Sequence, residues 1–143
     1  MSNFQAFMRQ NKIKKQNVKY AASSSFTDEK GEKILWEFRQ VPSREVGVIR
    51  EDCMKKIPVM GKPGAYRQEF NGTLFAHKLI CKSCVFPDLY NVELQNDYNV
   101  ATPEELLYEL VENPGDYSDL VLFVQNLNGF NATLDDKVDE AKN

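Results

Sequence analysis

A chain of 143 residues is long enough for one hydrophobic core and matches the size of one average domain. Its apolar share of 42% and charged share of 27% are those of a soluble globular protein, and no apolar run approaches the ~20 residues that a membrane-spanning helix needs. A net charge of −3 argues against nucleic acid as a partner, because such binding needs a basic surface to displace counterions.

Phe4, Phe7 and Met8 recur at i, i+3 and i+4, which predicts a short helix over Asn3 to Gln10 with one apolar stripe, capped by Ser2. Arg9, Lys12, Lys14, Lys15 and Lys19 follow the apolar residues, the reverse of a signal peptide's order, so a cytoplasmic protein is expected. Residues 1–16 therefore read as an N-terminal helical arm, able to dock on the domain or on an acidic partner. Val18 and Tyr20 predict a strand leading into the polar loop Ala21 to Ser25. Asp28-Glu29-Lys30-Gly31 reads as a turn, and Ile34 to Arg39 as a second strand with Ile34, Trp36 and Phe38 on one face. Phe26 is expected to oppose them.

Pro42-Ser43 ends that strand and opens a helix predicted from Ser43 to Lys56, with Val46, Ile49 and Cys53 inward. Gly47 weakens it by up to ~1 kcal/mol relative to Ala. Ile57 to Val59 and Tyr66 to Phe70 are expected to pair as a hairpin around Gly61-Lys62-Pro63-Gly64. Asn71 then caps a helix predicted to reach about Val85, before Pro87.

The C-terminal third is helical and polar-capped. Thr102 and Glu105 form a capping box with Pro103 at the first helical position; Asn113 and Pro114 open the next helix. Leu106, Leu107, Leu110 and Val111 make a buried stripe on the first. On the second, Tyr117, Leu120, Val121, Val124 and Leu127 share a face, while Leu122 and Phe123 lie off it. A helix apolar nearly all round is either central to the core or keeps a face for a partner. Gly129 suits its C-terminus. Asp135, Asp136, Asp139 and Glu140 make residues 131–143 an acidic tail, expected to be disordered because it is charged and poor in apolar groups. The expected fold is α+β: a mostly helical single domain over residues 17–130, with one or two small antiparallel β-hairpins and a C-terminal helical region.

The residue types of catalysis are thinly spread. His77 is the sole histidine, no GxSxG elbow occurs, and the Gly61 to Gly64 loop is too short to cradle phosphate. Glu104, Glu105, Glu109 and Glu112 read as a solvated helix face. Cys81 and Cys84 form a CxxC, His77 lies four residues earlier, and Cys53 would complete a tetrahedral set. A second paired motif is missing, so the favoured reading is small buried cysteines with a histidine at the helix surface or edge. A thioredoxin-like role needs the CxxC at a helix start, whereas here it falls at a helix end. No catalytic residue, metal or cofactor is expected.

The order and spacing of several pieces resemble the XkdN-like tail assembly chaperones of defective prophages and long-tailed phages of Gram-positive bacteria. These pieces are Phe4-x-x-Phe7-Met8-x-x-Asn11-Lys12, Asn17-Val18-Lys19-Tyr20, Trp36-Glu37-Phe38-Arg39, the Ile57-Pro58-Val59 to Tyr66-Arg67 hairpin, Pro87-Asp88-Leu89, Glu93-Leu94-Gln95, Glu104-Glu105-Leu106-Leu107, Asn113-Pro114-Gly115-Asp116-Tyr117 and Phe123-Val124-Gln125. The resemblance implies a non-catalytic protein of the host cytoplasm that binds the tape measure protein, helps recruit tail tube subunits and leaves before the virion matures. It implies neither nucleic acid nor membrane as a partner. A long helical tape measure protein exposes apolar stripes until the tube covers them. The surface expected to shield them combines Phe4, Phe7 and Met8 with Leu120, Leu122, Phe123, Val124 and Leu127. The alternatives are a structural tail or adaptor protein retained in the particle, and a zinc-binding regulator using Cys53, His77, Cys81 and Cys84.

Overall fold

A computed structural model describes residues 3–130. Two 3-10 turns, Asn3–Phe7 and Arg9–Asn11, precede strand β1 (Val18–Tyr20) and strand β2 (Trp36–Phe38). Helix α1 (Ser43–Asp52) leads into a hairpin of β3 (Met54–Pro58) and β4 (Tyr66–Phe70). Helix α2 (Gly72–Ser83) runs directly into β5 (Cys84–Phe86), and α3 (Val92–Asp97), α4 (Pro103–Leu110) and α5 (Pro114–Leu127) complete the chain. The strands form an antiparallel three-stranded sheet of order β1-β2-β5 and a separate β3–β4 ribbon, so the architecture is the expected α+β with a helical C-terminal region.

Local chemistry accounts for most element boundaries. Asn71, Asn91, Thr102 and Asn113 each accept a backbone N–H with the side chain at the start of α2, α3, α4 and α5. In the Thr102–Glu105 box the return bond reaches one residue further back, from the Ala101 N–H to Glu105 Oε2 at 3.3 Å. Helix α5 ends in a Schellman motif: Gly129 sits at φ +78°, its N–H donates to Asn126 O, and the Phe130 N–H donates to Gln125 O.

Two helices stop earlier than predicted, and in both cases a strand claims the residues. Helix α1 ends at Asp52 rather than Lys56, because Met54 to Pro58 pair with Phe70 to Tyr66 in an unbroken five-residue register. Helix α2 ends at Ser83 rather than Val85, because Cys84 to Phe86 close the sheet against β2. The arm differs too. It forms two 3-10 turns in place of one α-helix, and its expected cap, Ser2, lies outside the described residues, as does the acidic tail beyond Phe130.

The core sits between the three-stranded sheet and helices α2, α4 and α5. Trp36 and Phe38 supply the sheet's inner face, and Leu79, Ile80, Leu106, Leu107, Leu120 and Val124 meet them from the helices. Burying each such large side chain contributes ~1.5–3 kcal/mol. Ser83 ties helix to sheet, its hydroxyl donating to Arg39 O at 2.5 Å while the Arg39 N–H donates back to Ser83 O at 2.8 Å. Ser23 closes the other side by donating to Leu110 O at 2.7 Å.

Candidate partner-binding surface

The expected α5 face divides sharply once its neighbours are in place. Leu120 and Val124 are fully buried, which corrects their assignment to a partner surface: their whole side chains face α2 and the sheet. Phe123 is half-buried, stacked on Tyr20 at 4.1 Å between ring centroids and packed edge-on against Phe38 at 5.3 Å. It holds α5 to the sheet and is not available either. Leu127 is half-buried against the core. Of the five α5 positions only Leu122, 54% exposed, faces outward.

The arm is the opposite case. Every residue from Asn3 to Lys19 is exposed, Phe7 at 88% and Phe4 at 69%. Its hydrogen bonds are internal, such as Asn11 Nδ2 donating to Gln5 O at 2.7 Å, and among the described residues none ties Asn3 to Asn17 to the domain. Lys12 and Ile13 nevertheless line a cleft with Gln40, Val41 and Pro42, so the arm runs past the C-terminal end of β2.

A second apolar surface escaped the sequence. Phe26, Ile34 and Trp36 from the β1–β2 side face Phe86 at the end of β5 and the following Pro87, Leu94 of α3 and Tyr98 at its C-terminal cap, and Leu110 at the end of α4. Together they line a groove of about 190 Å³ with no charged side chain in its wall. That is smaller than the ~300–1,000 Å³ of a drug-sized ligand site and suits a protein side chain instead. Phe86 is 55% exposed at its lip, while Trp36 forms its floor. The i, i+4 pair Leu94 and Tyr98 was its one visible sign in the sequence.

The cysteines and the histidine belong to packing. Cys81 points into the core from α2, Cys84 has passed onto β5, and Cys53 caps α1. Burial pushes the Cys84 thiol up to about 12 and raises Cys81 further, so both stay protonated. Among the described residues no group of three or more His, Cys, Asp and Glu is placed to hold a metal ion.

His77 is buried, not at the helix edge as expected, because α4 and α5 close over it. Its Nε2 lies 2.7 Å from Glu104 O and its Nδ1 2.7 Å from the Tyr117 hydroxyl. A carbonyl only accepts, so Nε2 carries the proton and Nδ1 accepts from Tyr117. Tyr108 stacks on the ring at 4.1 Å. Burial holds the imidazole below its ordinary pKa, opposed by the Glu104 carbonyl. With both nitrogens occupied, the ring is a clamp joining α2, α4 and α5.

Among the described residues no helix is long and apolar enough to cross a membrane. The family model for phage XkdN-like tail assembly chaperone proteins matches residues 4–142. The chain is 23% identical over 137 residues to the phage-like element PBSX protein XkdN of Bacillus subtilis (strain 168), covering 96% of this chain and 91% of that protein. It is 22% identical over the same length and shares to the protein YqbN of Bacillus subtilis (strain 168). The crystal structure of the protein YqbN superposes with a TM-score of 0.75 at 18% identity, covering 92% of this chain and 99% of that one, so the fold is shared.

Proposed function

Because the chain belongs to the XkdN-like phage tail assembly chaperone family, which is not a known enzyme family, we propose that it acts by shielding apolar helical segments of the tape measure protein and by helping to bring tail tube subunits to them. The observation that carries this reading is apolar surface that the fold itself does not use. The groove of Phe26, Trp36, Phe86, Leu94 and Tyr98 has the depth for side chains projecting from an amphipathic helix, and Phe4, Phe7, Met8 and Leu122 lie exposed beside the domain's polar surface. Reversible cover of a partner's stripe needs such groups outside the chaperone's own core, since burying them there would leave nothing to offer. The protein then works in the host cytoplasm and departs before the particle is finished.

Co-purification with a tape measure fragment tests this. Phe86→Asp and Phe4→Asp are expected to abolish capture while leaving the folded spectrum intact. Capture unchanged in both variants rejects the assignment. Mass spectrometry of purified particles separates a chaperone from a retained structural protein: the chaperone is absent, and stoichiometric retention overturns the reading.

A further inference from the structure

The charge of this chain is segregated in a way its net value of −3 conceals. Residues 1–19 carry Arg9, Lys12, Lys14, Lys15 and Lys19 and no Asp or Glu. Residues 83–130 carry nine Asp and Glu and no Lys or Arg. The basic stretch is the exposed arm with Phe4, Phe7 and Met8. The acidic stretch supplies five of the eight residues that line the apolar groove: Phe86, Pro87, Leu94, Tyr98 and Leu110. The two apolar features therefore belong to stretches of chain of opposite charge, the arm to the basic one and most of the groove to the acidic one.

We infer that the N-terminal arm of one copy docks in the Trp36–Phe86–Tyr98 groove of a second copy. The arm leads away from the groove of its own copy. The arm joins the sheet at Val18, opposite Phe38, and passes the cleft at Gln40 to Pro42, whereas the groove opens at the other end of β2, at Ile34 and Trp36. In a second copy no such tether restricts the approach. Reciprocal exchange fills both grooves and closes the assembly as a two-fold dimer, in which four otherwise wet aromatic rings, Phe4 and Phe7 of each copy, leave water. Opposite charges draw the arm in and weaken with salt, since screening acts over ~10 Å at 0.1 M. Exchange would also keep both surfaces covered until a partner displaces the arm. That last consequence rests on the function proposed above; the exchange itself does not.

Sedimentation analysis of the purified full-length protein tests the inference without any partner. The wild type is expected at twice the monomer mass at low salt, shifting toward monomer as salt rises. Phe7→Asp in the arm and Phe86→Asp in the groove are each expected to halve the mass while the chain stays folded, both side chains being mostly solvent-exposed already. A spin label on Gln5→Cys in unlabelled protein, mixed with isotope-labelled protein, is expected to broaden the Leu94 and Tyr98 signals of the labelled copy. A wild type that is monomeric at every concentration, a dimer mass that neither variant moves, or a mixed sample in which the Leu94 and Tyr98 signals stay sharp overturns the inference. A failed tape measure capture with an intact salt-sensitive dimer sinks only the proposed function, and the reverse result sinks only the exchange.

Discussion

Helix α2 and strand β4 adjoin in the chain, yet they have opposite fates. Five side chains of α2, from His77 to Ser83, are buried, and every residue of β4 is exposed. The same divide separates α5 from the N-terminal arm: both carry Phe and Leu-type apolar groups at helical spacing, but Leu120 and Val124 vanish into the core while Phe4 and Phe7 stand in water. The difference teaches that periodicity identifies an apolar face without saying what covers it. In α2 and α5 the cover is the sheet and the other helices. For Phe4 and Phe7 of the arm, the described residues of the domain offer none.

Breaking the buried side should have the largest effect. Leu120→Ala removes a fully buried side chain and is expected to cost about 2–5 kcal/mol of unfolding free energy. Urea denaturation reads it directly, and a loss below about 1 kcal/mol would mean α5 is not the central helix. The caps come next. Asn113→Ala deletes the bond from the Asp116 N–H to Asn113 Oδ1, 3.0 Å long, and should cost about 1 kcal/mol in the same assay.

Acidification sharpens the contrast, because the clamp that joins the buried helices contains the chain's one histidine. Burial lowers the His77 pKa from 6.5, so the unfolded chain takes up a proton that the folded one resists. Stability is therefore intact above about pH 6.5 and declines as pH falls through the unfolded value toward the lowered folded one. Melting temperature measured between pH 8 and 5 should slope downward in the wild type, and the slope should flatten in His77→Gln. An equal slope in the two proteins would place the titration elsewhere.

The exposed side should respond least. Phe7→Ser is expected to shift unfolding by no more than about 0.5 kcal/mol, because the side chain already faces water. The same substitution should lower partner capture or self-association strongly. A large stability loss instead would show the arm packed against its own domain. Native thiol labelling gives a last check on the buried side: Cys81 and Cys84 should react only on unfolding, their thiols being held protonated by burial.

Much of the fold was legible in local chemistry, since caps and turns act over three or four residues. Asn71, Thr102 and Asn113 announced three helix starts, Gly129 a helix end, and the Ile57–Tyr66 region a hairpin. The boundaries that failed depended on distant partners. Cys84 and Val85 read as the last turn of a helix because β2, which pairs with β5, lies nearly fifty residues earlier. The candidate surface was half legible for the same reason. Spacing singles out Phe4, Phe7 and Met8 as an apolar stripe, whereas the groove is assembled from four separate stretches, and no window of sequence contains it.

By itself the sequence determined the class of fold, the positions of the capped helices, and the resemblance that led to a family of chaperones. Those properties reside in short-range hydrogen bonding, in hydrophobic period and in the order of motifs. Only tertiary packing decided that Leu120, Phe123 and Val124 serve the core, that His77 is a clamp, and that Trp36 floors a groove. An apolar side chain lowers its free energy by leaving water against whichever surface arrives first, and that surface is specified by the whole chain.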